Sequence, residues 1–141
     1  MGELDRSTLF ANEAFVVGML QAVSGAAVIA AISNYSTFKD LIGKIPFLLF
    51  FTAALATLAL AVLAAYFRHQ YKMWDVKAAD SESKQKEDEA NERWAKANCY
   101  LAAMRRTLFI AVIVFMFGLA VPIACVWAAE FYKPVTIAQL L

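Results

Sequence analysis

The sequence predicts an all-α membrane protein with three transmembrane helices, and two observations lead to this fold class. Of the 141 residues, 62% are hydrophobic and 18% are charged, whereas soluble domains are about 45–50% apolar and about 25% charged. The charged residues are also unevenly distributed, because 16 of the 25 lie between Arg68 and Arg106. The remainder of the chain contains three long stretches without a charged residue or a histidine.

These stretches are long enough to cross a bilayer as helices. They hold 25, 23 and 23 residues and lie between Glu13 and Lys39, between Lys44 and Arg68, and between Arg106 and Glu130. At about 1.5 Å rise per residue, roughly 20 residues cross a hydrocarbon layer of about 30 Å. We therefore predict spans at about 14–33, 46–67 and 107–129, in a single membrane domain of residues 1–141. A soluble enzyme, a secreted disulfide scaffold and a nucleic-acid partner are excluded, and the lipid bilayer is the first expected partner.

The orientation follows from the basic residues, since Lys and Arg near a span resist translocation. The segment between Arg68 and Arg106 holds nine of them and is predicted to be cytoplasmic. The N-terminus is then cytoplasmic and the C-terminus outside, with ten basic residues inside against three outside. Acidic residues precede the first span, where a cleaved signal peptide would be basic, so we expect this span to remain.

The charged segment, residues 68–106, carries an apolar stripe at helical spacing on each side of a polar turn at 80–83. The stripes comprise Phe67, Tyr71, Trp74 and Ala78 before the turn, and Ala90, Trp94, Ala97, Leu101, Met104 and Leu108 after it. Steps of three and four residues place such side chains on one helix face. We therefore predict that spans 2 and 3 extend into a cytoplasmic antiparallel helical hairpin, whose contact seam includes Tyr71, Trp74, Trp94 and Leu101. Three i, i+4 ion pairs are expected to support it, namely Glu82 with Lys86, Glu89 with Arg93, and Glu92 with Lys96.

The loop between spans 1 and 2 is expected to contain a one-turn helix over 38–42. Thr37 is a suitable N-cap for it, and Gly43 is suited to end it.

Small residues form a ladder along the first span. The small-residue ladder consists of Ala14, Gly18, Ala22, Ala26 and Ala30. Lipid tails are as apolar as leucine, so helices in membranes associate by close backbone packing at such residues. We predict a helix-packing face, either within one protomer or between protomers. A similar strip in the second span, Ala53, Thr57, Ala61 and Ala65, is a candidate to receive it.

Gln21 and Ser24 are the polar residues that lie deep in the first span. Two alternatives stay open for them: an interhelical hydrogen bond, or the lining of a pore. In the third span, Pro122 removes the hydrogen bond to the carbonyl of Gly118, so a kink is expected there.

The residues point to no catalytic, cofactor-binding or metal-binding site. The single histidine and two distant cysteines lack metal-ligand spacing, and no nucleophile or phosphate-loop motif is present. Basic residues beside the spans, Arg68, Lys72, Arg105 and Arg106, either set the topology or also contact anionic lipid.

The first span contains the run Val23–Ala31, and the second span leaves the membrane through Tyr66–Tyr71. With a third span after an amphipathic helix, this layout resembles a group of small bacterial three-span membrane proteins of uncharacterised function. The resemblance implies the bacterial inner membrane and no activity. The sequence thus favours a non-enzymatic, self-associating membrane protein, as a homo-oligomeric pore or membrane-perturbing effector. The alternative is an accessory or anchoring subunit of a larger membrane complex.

Overall fold

The computed structural model describes the backbone of residues 3–131 and the side chains of residues 11–128 and Phe131. This part of the chain forms four α-helices, which are α1 (Glu3–Ser33), α2 (Tyr35–Ile42), α3 (Lys44–Ser83) and α4 (Glu87–Phe131). Within these bounds only Asn34, Gly43 and residues 84–86 leave helical geometry, and none of the described residues is in a strand. The all-α fold class is confirmed.

Three of the helices are long and apolar enough to cross a membrane, over Ala11–Ser33, Lys44–Ser83 and Glu87–Ala128. Many of their large apolar side chains point away from the protein. Phe15 is 70% exposed and Phe109 is 68% exposed. Such a surface suits lipid, since soluble monomers rarely expose contiguous apolar patches of this kind. The chain is therefore compatible with a multi-pass membrane protein.

α3 is the central element of the bundle. α4 and α1 both pack on it, and α1 has little contact with α4. The main core joins all three helices through Val17, Leu20, Ala61, Ala64, Met104, Leu108 and Ala111. A second cluster, Ala31, Ile42 and Phe47, connects the end of α1 to α2 and the start of α3.

α2 is longer than the predicted one-turn helix. It begins at Tyr35 rather than Phe38, so Thr37 lies inside the helix and is not its N-cap. Asn34 holds the N-cap position, but its side-chain amide donates back to the Ala30 carbonyl at 3.1 Å instead of capping α2. The predicted end at Gly43 is confirmed, with φ of 85°, a conformation that favours glycine.

The turn of the hairpin lies at 84–86, beyond its predicted position at 80–83, because α3 continues through Ser83. Lys86 N–H donates to the Ser81 carbonyl at 3.1 Å, and Gln85 N–H donates to the Glu82 carbonyl at 3.0 Å. These two bonds form a Schellman motif, in which Gln85 takes the left-handed position with φ of 56°.

The shifted turn also changes the ion pairs. Glu82 and Lys86 lie on opposite sides of it, and their predicted pair does not form; Lys86 instead pairs with Glu89 at 3.2 Å. The other two predicted pairs are confirmed, Glu89 with Arg93 at 3.2 Å and Glu92 with Lys96 at 2.6 Å.

Candidate functional site

The small-residue ladder of α1 faces outward from the protomer for most of its length. Gly18, Ala22, Ala26 and Ala30 are exposed, and Ala14 is half-buried. A Cβ added at Gly18 would have no neighbouring atom within 4 Å. α1 contacts the rest of the chain instead through Val17, Leu20, Ser24 and Ala31, which are buried. The expectation that the strip on the second span receives the ladder is therefore wrong within one protomer.

The strip on α3 is occupied by other residues. Thr57 and Ala61 are fully buried and Ala53 is half-buried. Thr57 donates its hydroxyl to the carbonyl of Ala53 at 2.8 Å, so its polar group is satisfied within its own helix. Ala61 packs in the core that contains Val17 and Met104. The strip thus joins α3 to both neighbouring helices.

Gln21 and Ser24 have different surroundings. Ser24 is fully buried, and its hydroxyl donates to the Leu20 carbonyl. Gln21 is half-buried at the edge of the contact between α1 and α3, and its side-chain amide makes no hydrogen bond within the described chain. The Ser24 hydroxyl thus bonds within its own helix rather than between helices, and Ser24 is enclosed in this protomer, whereas Gln21 is partly exposed.

The contact between α3 and α4 follows a seven-residue repeat that crosses from the hairpin into the membrane segment. The buried α4 residues in this repeat are Ala90, Ala97, Met104, Ala111 and Gly118. Apolar positions that recur every seven residues are typical of helices that wrap around each other with a left-handed supercoil. Four of the five side chains are those of alanine or glycine, which permits close approach of the two backbones.

Gly118 belongs to this contact. A Cβ built at Gly118 would lie 2.5 Å from the Cβ of Ala53, a separation that real Cβ atoms do not show. Glycine is thus required sterically at this position.

Pro122 lies inside α4, which continues as one helix to Phe131. Its ring borders an apolar groove between α2 and α4, lined also by Leu41 and Trp127. The kink at Gly118 and Pro122 stays a prediction.

A charged contact joins α1 to α4 where the membrane segment meets the hairpin. Arg105 Nε donates to Glu13 Oε1 at 2.9 Å, across 92 residues of sequence. The second carboxylate oxygen of Glu13 and the Nε of Arg68 are both buried, with no hydrogen-bond partner in the described part of the chain. The Glu13 side chain is only 14% exposed, so the last charged residue before span 1 is largely enclosed by the helices.

The four predicted residues of the hairpin seam differ in burial. Tyr71 is buried, whereas Trp74, Trp94 and Leu101 are half-buried. Trp74 lies beside the seam, with the ammonium groups of Lys77 and Lys96 at 4.7 and 5.1 Å from its ring. An ammonium group over an indole ring is favourable in a partly desolvated site. Trp74 therefore joins the two hairpin arms by cation–π contacts.

Trp94 lies nearer the tip of the hairpin. It borders a crevice of about 340 Å³ that is lined also by Glu82, Gln85, Glu87 and Asn91. Arg93 beside it donates to the Lys77 carbonyl at 3.1 Å and to the Ser81 hydroxyl, and so ties α4 to the last turns of α3.

Two carboxyl groups of the hairpin have lowered pKa values. A hydrogen bond from Lys84 lowers the pKa of Asp80, and one from Lys96 lowers the pKa of Glu92. A carboxyl with a lowered pKa stabilises the folded state above its ordinary pKa, and this contribution is lost as the pH falls through the lowered value. The pairs Lys84–Asp80 and Lys96–Glu92 thus act at neutral pH and weaken as the pH falls through the ordinary carboxyl range of about 4.

No protein-family model matches the chain, and neither a curated protein nor a solved structure matches it. The resemblance to small bacterial three-span membrane proteins stays a prediction. Among the described residues, no group of three or more His, Cys, Asp and Glu side chains is placed to hold a metal ion.

Three contacts were absent from the sequence predictions: Gly118 with Ala53, Arg105 with Glu13, and Arg93 with Ser81. A signal existed for the first, because the repeat from Ala90 to Gly118 is visible in the sequence when the hairpin stripe is extended into the span. The two polar contacts had no sequence signal, since they join residues on different helices.

Proposed function

We propose that this chain is a non-enzymatic integral membrane protein that self-associates through the outward face of α1. One observation carries the proposal: the small residues Gly18, Ala22, Ala26 and Ala30 are exposed, although the same chain buries its other small-residue strips. A glycine or alanine surface offers lipid tails few packing contacts, whereas a second helix can pack closely against it. A second copy of the chain supplies such a helix.

Within this proposal, the assembly is a homo-oligomeric pore or a membrane-perturbing effector. Gln21 is a partly exposed polar side chain within the first span, and its amide makes no hydrogen bond in the described chain. In a ring of α1 helices its amide would line the shared axis.

The mass of the intact complex in native nanodiscs tests self-association. We expect an integer multiple of the 15.6 kDa chain, without a foreign subunit. A single-chain mass at every protein-to-lipid ratio would contradict the proposal.

Ion flux through liposomes that contain the purified protein tests the pore, and Gln21→Leu is the matched variant. Absence of flux at any pH or potential would leave an oligomer that does not conduct.

We further propose that the protein lies in the bacterial inner membrane, with the N-terminus and the hairpin in the cytoplasm and the C-terminus outside. The excess of basic residues between Arg68 and Arg106 supports this orientation. Arg105 and Arg106 are exposed at the base of the hairpin. There they would contact anionic headgroups, at about 1 kcal/mol each.

The second candidate function is an accessory subunit whose hairpin docks a partner. The crevice beside Trp94 favours it, because an indole next to the Glu82 and Glu87 carboxylates suits a basic side chain of another protein. A foreign subunit at fixed stoichiometry after native purification supports this candidate. If the Trp94→Ala variant still co-purifies with the foreign subunit, the crevice is not the docking site.

A further inference from the structure

The basic residues of the hairpin fall into two groups that differ in how their charges are compensated. Near the tip, each basic residue from position 84 to 96 forms an ion pair with a carboxylate, namely Lys84, Lys86, Arg93 and Lys96. The base, next to the uncharged stretches, holds three basic residues without an ion pair to any described side chain: Arg68, Lys72 and Arg106. The uncompensated charges thus lie beside the predicted membrane.

The two described acidic side chains near the base already have other partners. Glu13 accepts a hydrogen bond from Arg105 at 2.9 Å, and Asp75 accepts one from the Tyr71 hydroxyl at 3.3 Å. Basic residues set the topology of a membrane protein whether or not acidic residues lie nearby, because Asp and Glu contribute little to this effect. The separation of the unpaired cations from carboxylates therefore has another physical consequence, namely a site for an anion.

Arg68 is the residue for which an unpaired charge is least favourable. It is half-buried, and its Nε is buried without a hydrogen-bond partner among the described residues. Removal from water raises the cost of an ionised group unless an opposite charge compensates it. Lys72 is exposed and follows one turn later on the same face of α3. Like charges at this spacing destabilise a helix slightly, so both residues gain from an anion between them.

The position of Arg68 and Lys72 indicates the kind of anion. Arg68 is the first charged residue after the uncharged stretch of 23 residues in the second span. Tyr66, two residues earlier, is 52% exposed, as is typical of aromatic side chains at a membrane interface. A basic residue at this point lies at the level of the lipid phosphate groups. A guanidinium group matches a phosphate through two parallel hydrogen bonds.

We propose that Arg68 and Lys72 form a binding site for the phosphate of an anionic lipid headgroup at the base of the hairpin. The Arg68 guanidinium donates to the phosphate oxygens, and the Lys72 ammonium supplies a second positive charge one turn further along α3. A zwitterionic headgroup binds less well, because its own cation approaches the same two basic groups. The inference rests on the proposed membrane insertion and not on self-association. It assigns a defined lipid site to residues other than Arg105 and Arg106.

Native mass spectrometry of the full-length protein in detergent micelles, titrated with phosphatidylglycerol or phosphatidylcholine, tests the site. We expect saturable binding of phosphatidylglycerol and weaker binding of phosphatidylcholine. Arg68→Gln and Lys72→Gln should each lower the affinity for phosphatidylglycerol about 5-fold, which corresponds to about 1 kcal/mol per basic residue. Arg68→Lys should retain part of the affinity, because it keeps the charge but loses the paired hydrogen bonds.

Lys84→Gln is the matched control, since it removes one positive charge from the other end of the hairpin. Lys84 lies 16 residues beyond Arg68, about 24 Å along a helix and therefore beyond the Debye length of about 8 Å at physiological salt. This variant should leave the affinity unchanged. An equal loss in Lys84→Gln and Arg68→Gln would show that the lipid responds to the net charge of the hairpin, and would overturn the site.

Inorganic phosphate, added in excess over the lipid, identifies the source of the anion. Retention of phosphatidylglycerol supports a lipid site, whereas complete displacement would assign the site to free phosphate and overturn the inference. Helix content by circular dichroism verifies that each variant is folded.

The same spectra separate the inference from the proposed function, because they also report the oligomeric state. A monomer that binds phosphatidylglycerol as expected would contradict self-association and leave the site in place. An oligomer without a preference for phosphatidylglycerol would contradict the site alone. If the parent chain does not co-float with lipid vesicles, membrane insertion is wrong and the site with it.

Discussion

Gly118 lies against Ala53 of α3, whereas Gly18 lies beside open space on α1. The two residues have the same helix propensity, so their different roles come from their neighbours. At Gly118 the missing side chain allows two helices of one protomer to approach each other. At Gly18 the missing side chain leaves a surface that the protomer does not use.

Gly118→Ala is expected to destabilise the protomer by about 1–3 kcal/mol, the usual cost of adding a methyl group to a packed core. The free energy of unfolding in a detergent titration, monitored by tryptophan fluorescence, measures the change. Gly18→Ala is the matched control. Because its added methyl group meets no atom, it should leave the stability unchanged or raise it by up to about 1 kcal/mol. Equal stability of the two variants would argue against the close contact at Gly118.

Each of the three helices that are long and apolar enough to cross a membrane combines a buried face with an exposed apolar face. α3 and α4 continue past their uncharged stretches into the charged hairpin. α4 shows this most clearly, since the repeat from Ala90 to Gly118 keeps one face on α3 through both environments. The hairpin is therefore not a separate domain. It continues the packing of α3 and α4, and its tip is closed by the Schellman motif at 81–86.

Gln85→Gly is expected to stabilise the tip, because a non-glycine residue in the left-handed conformation costs about 1–2 kcal/mol. Local opening of the turn should become about 5-fold rarer for a gain of about 1 kcal/mol. Hydrogen exchange of the amides at 84–90, in the full-length protein in nanodiscs, measures this. Gln85→Ala is the control, since alanine keeps a Cβ in the left-handed conformation and should not gain this stability. Faster exchange in Gln85→Gly than in the parent protein would contradict the prediction that Gln85 strains the turn.

The described chain is a helical bundle with three helices long enough and apolar enough to cross a membrane, and α1 is held less extensively than α3 and α4. The ion pair between Glu13 and Arg105 is the direct polar link from α1 to α4 in the described chain. Because most of its remaining surface is exposed, α1 is the helix that the proposed self-association would use. This arrangement connects the proposed function to the fold.

The native cysteines provide a test of orientation. Cys99 is exposed on the hairpin, whereas Cys125 packs against the cluster that contains Phe47. A membrane-impermeant maleimide should label Cys99 in inside-out vesicles but not in intact cells. Cys99→Ala should abolish this labelling, and Cys125 should react only after solubilisation. Labelling of Cys99 in intact cells would reverse the proposed topology.

By itself the sequence determined the three spans, the helical hairpin and the end of α2 at Gly43, because uncharged length, apolar spacing and glycine conformation are local properties. The tertiary structure decided which face of α1 is buried, where the hairpin turns and why Gly118 must be glycine. These depend on residues far apart in the sequence, such as Ala53 with Gly118 and Glu13 with Arg105. The sequence pattern of a row of small residues is the same whether the row packs against another helix or faces lipid. Only the positions of α3 and α4 showed that the ladder on α1 faces outward.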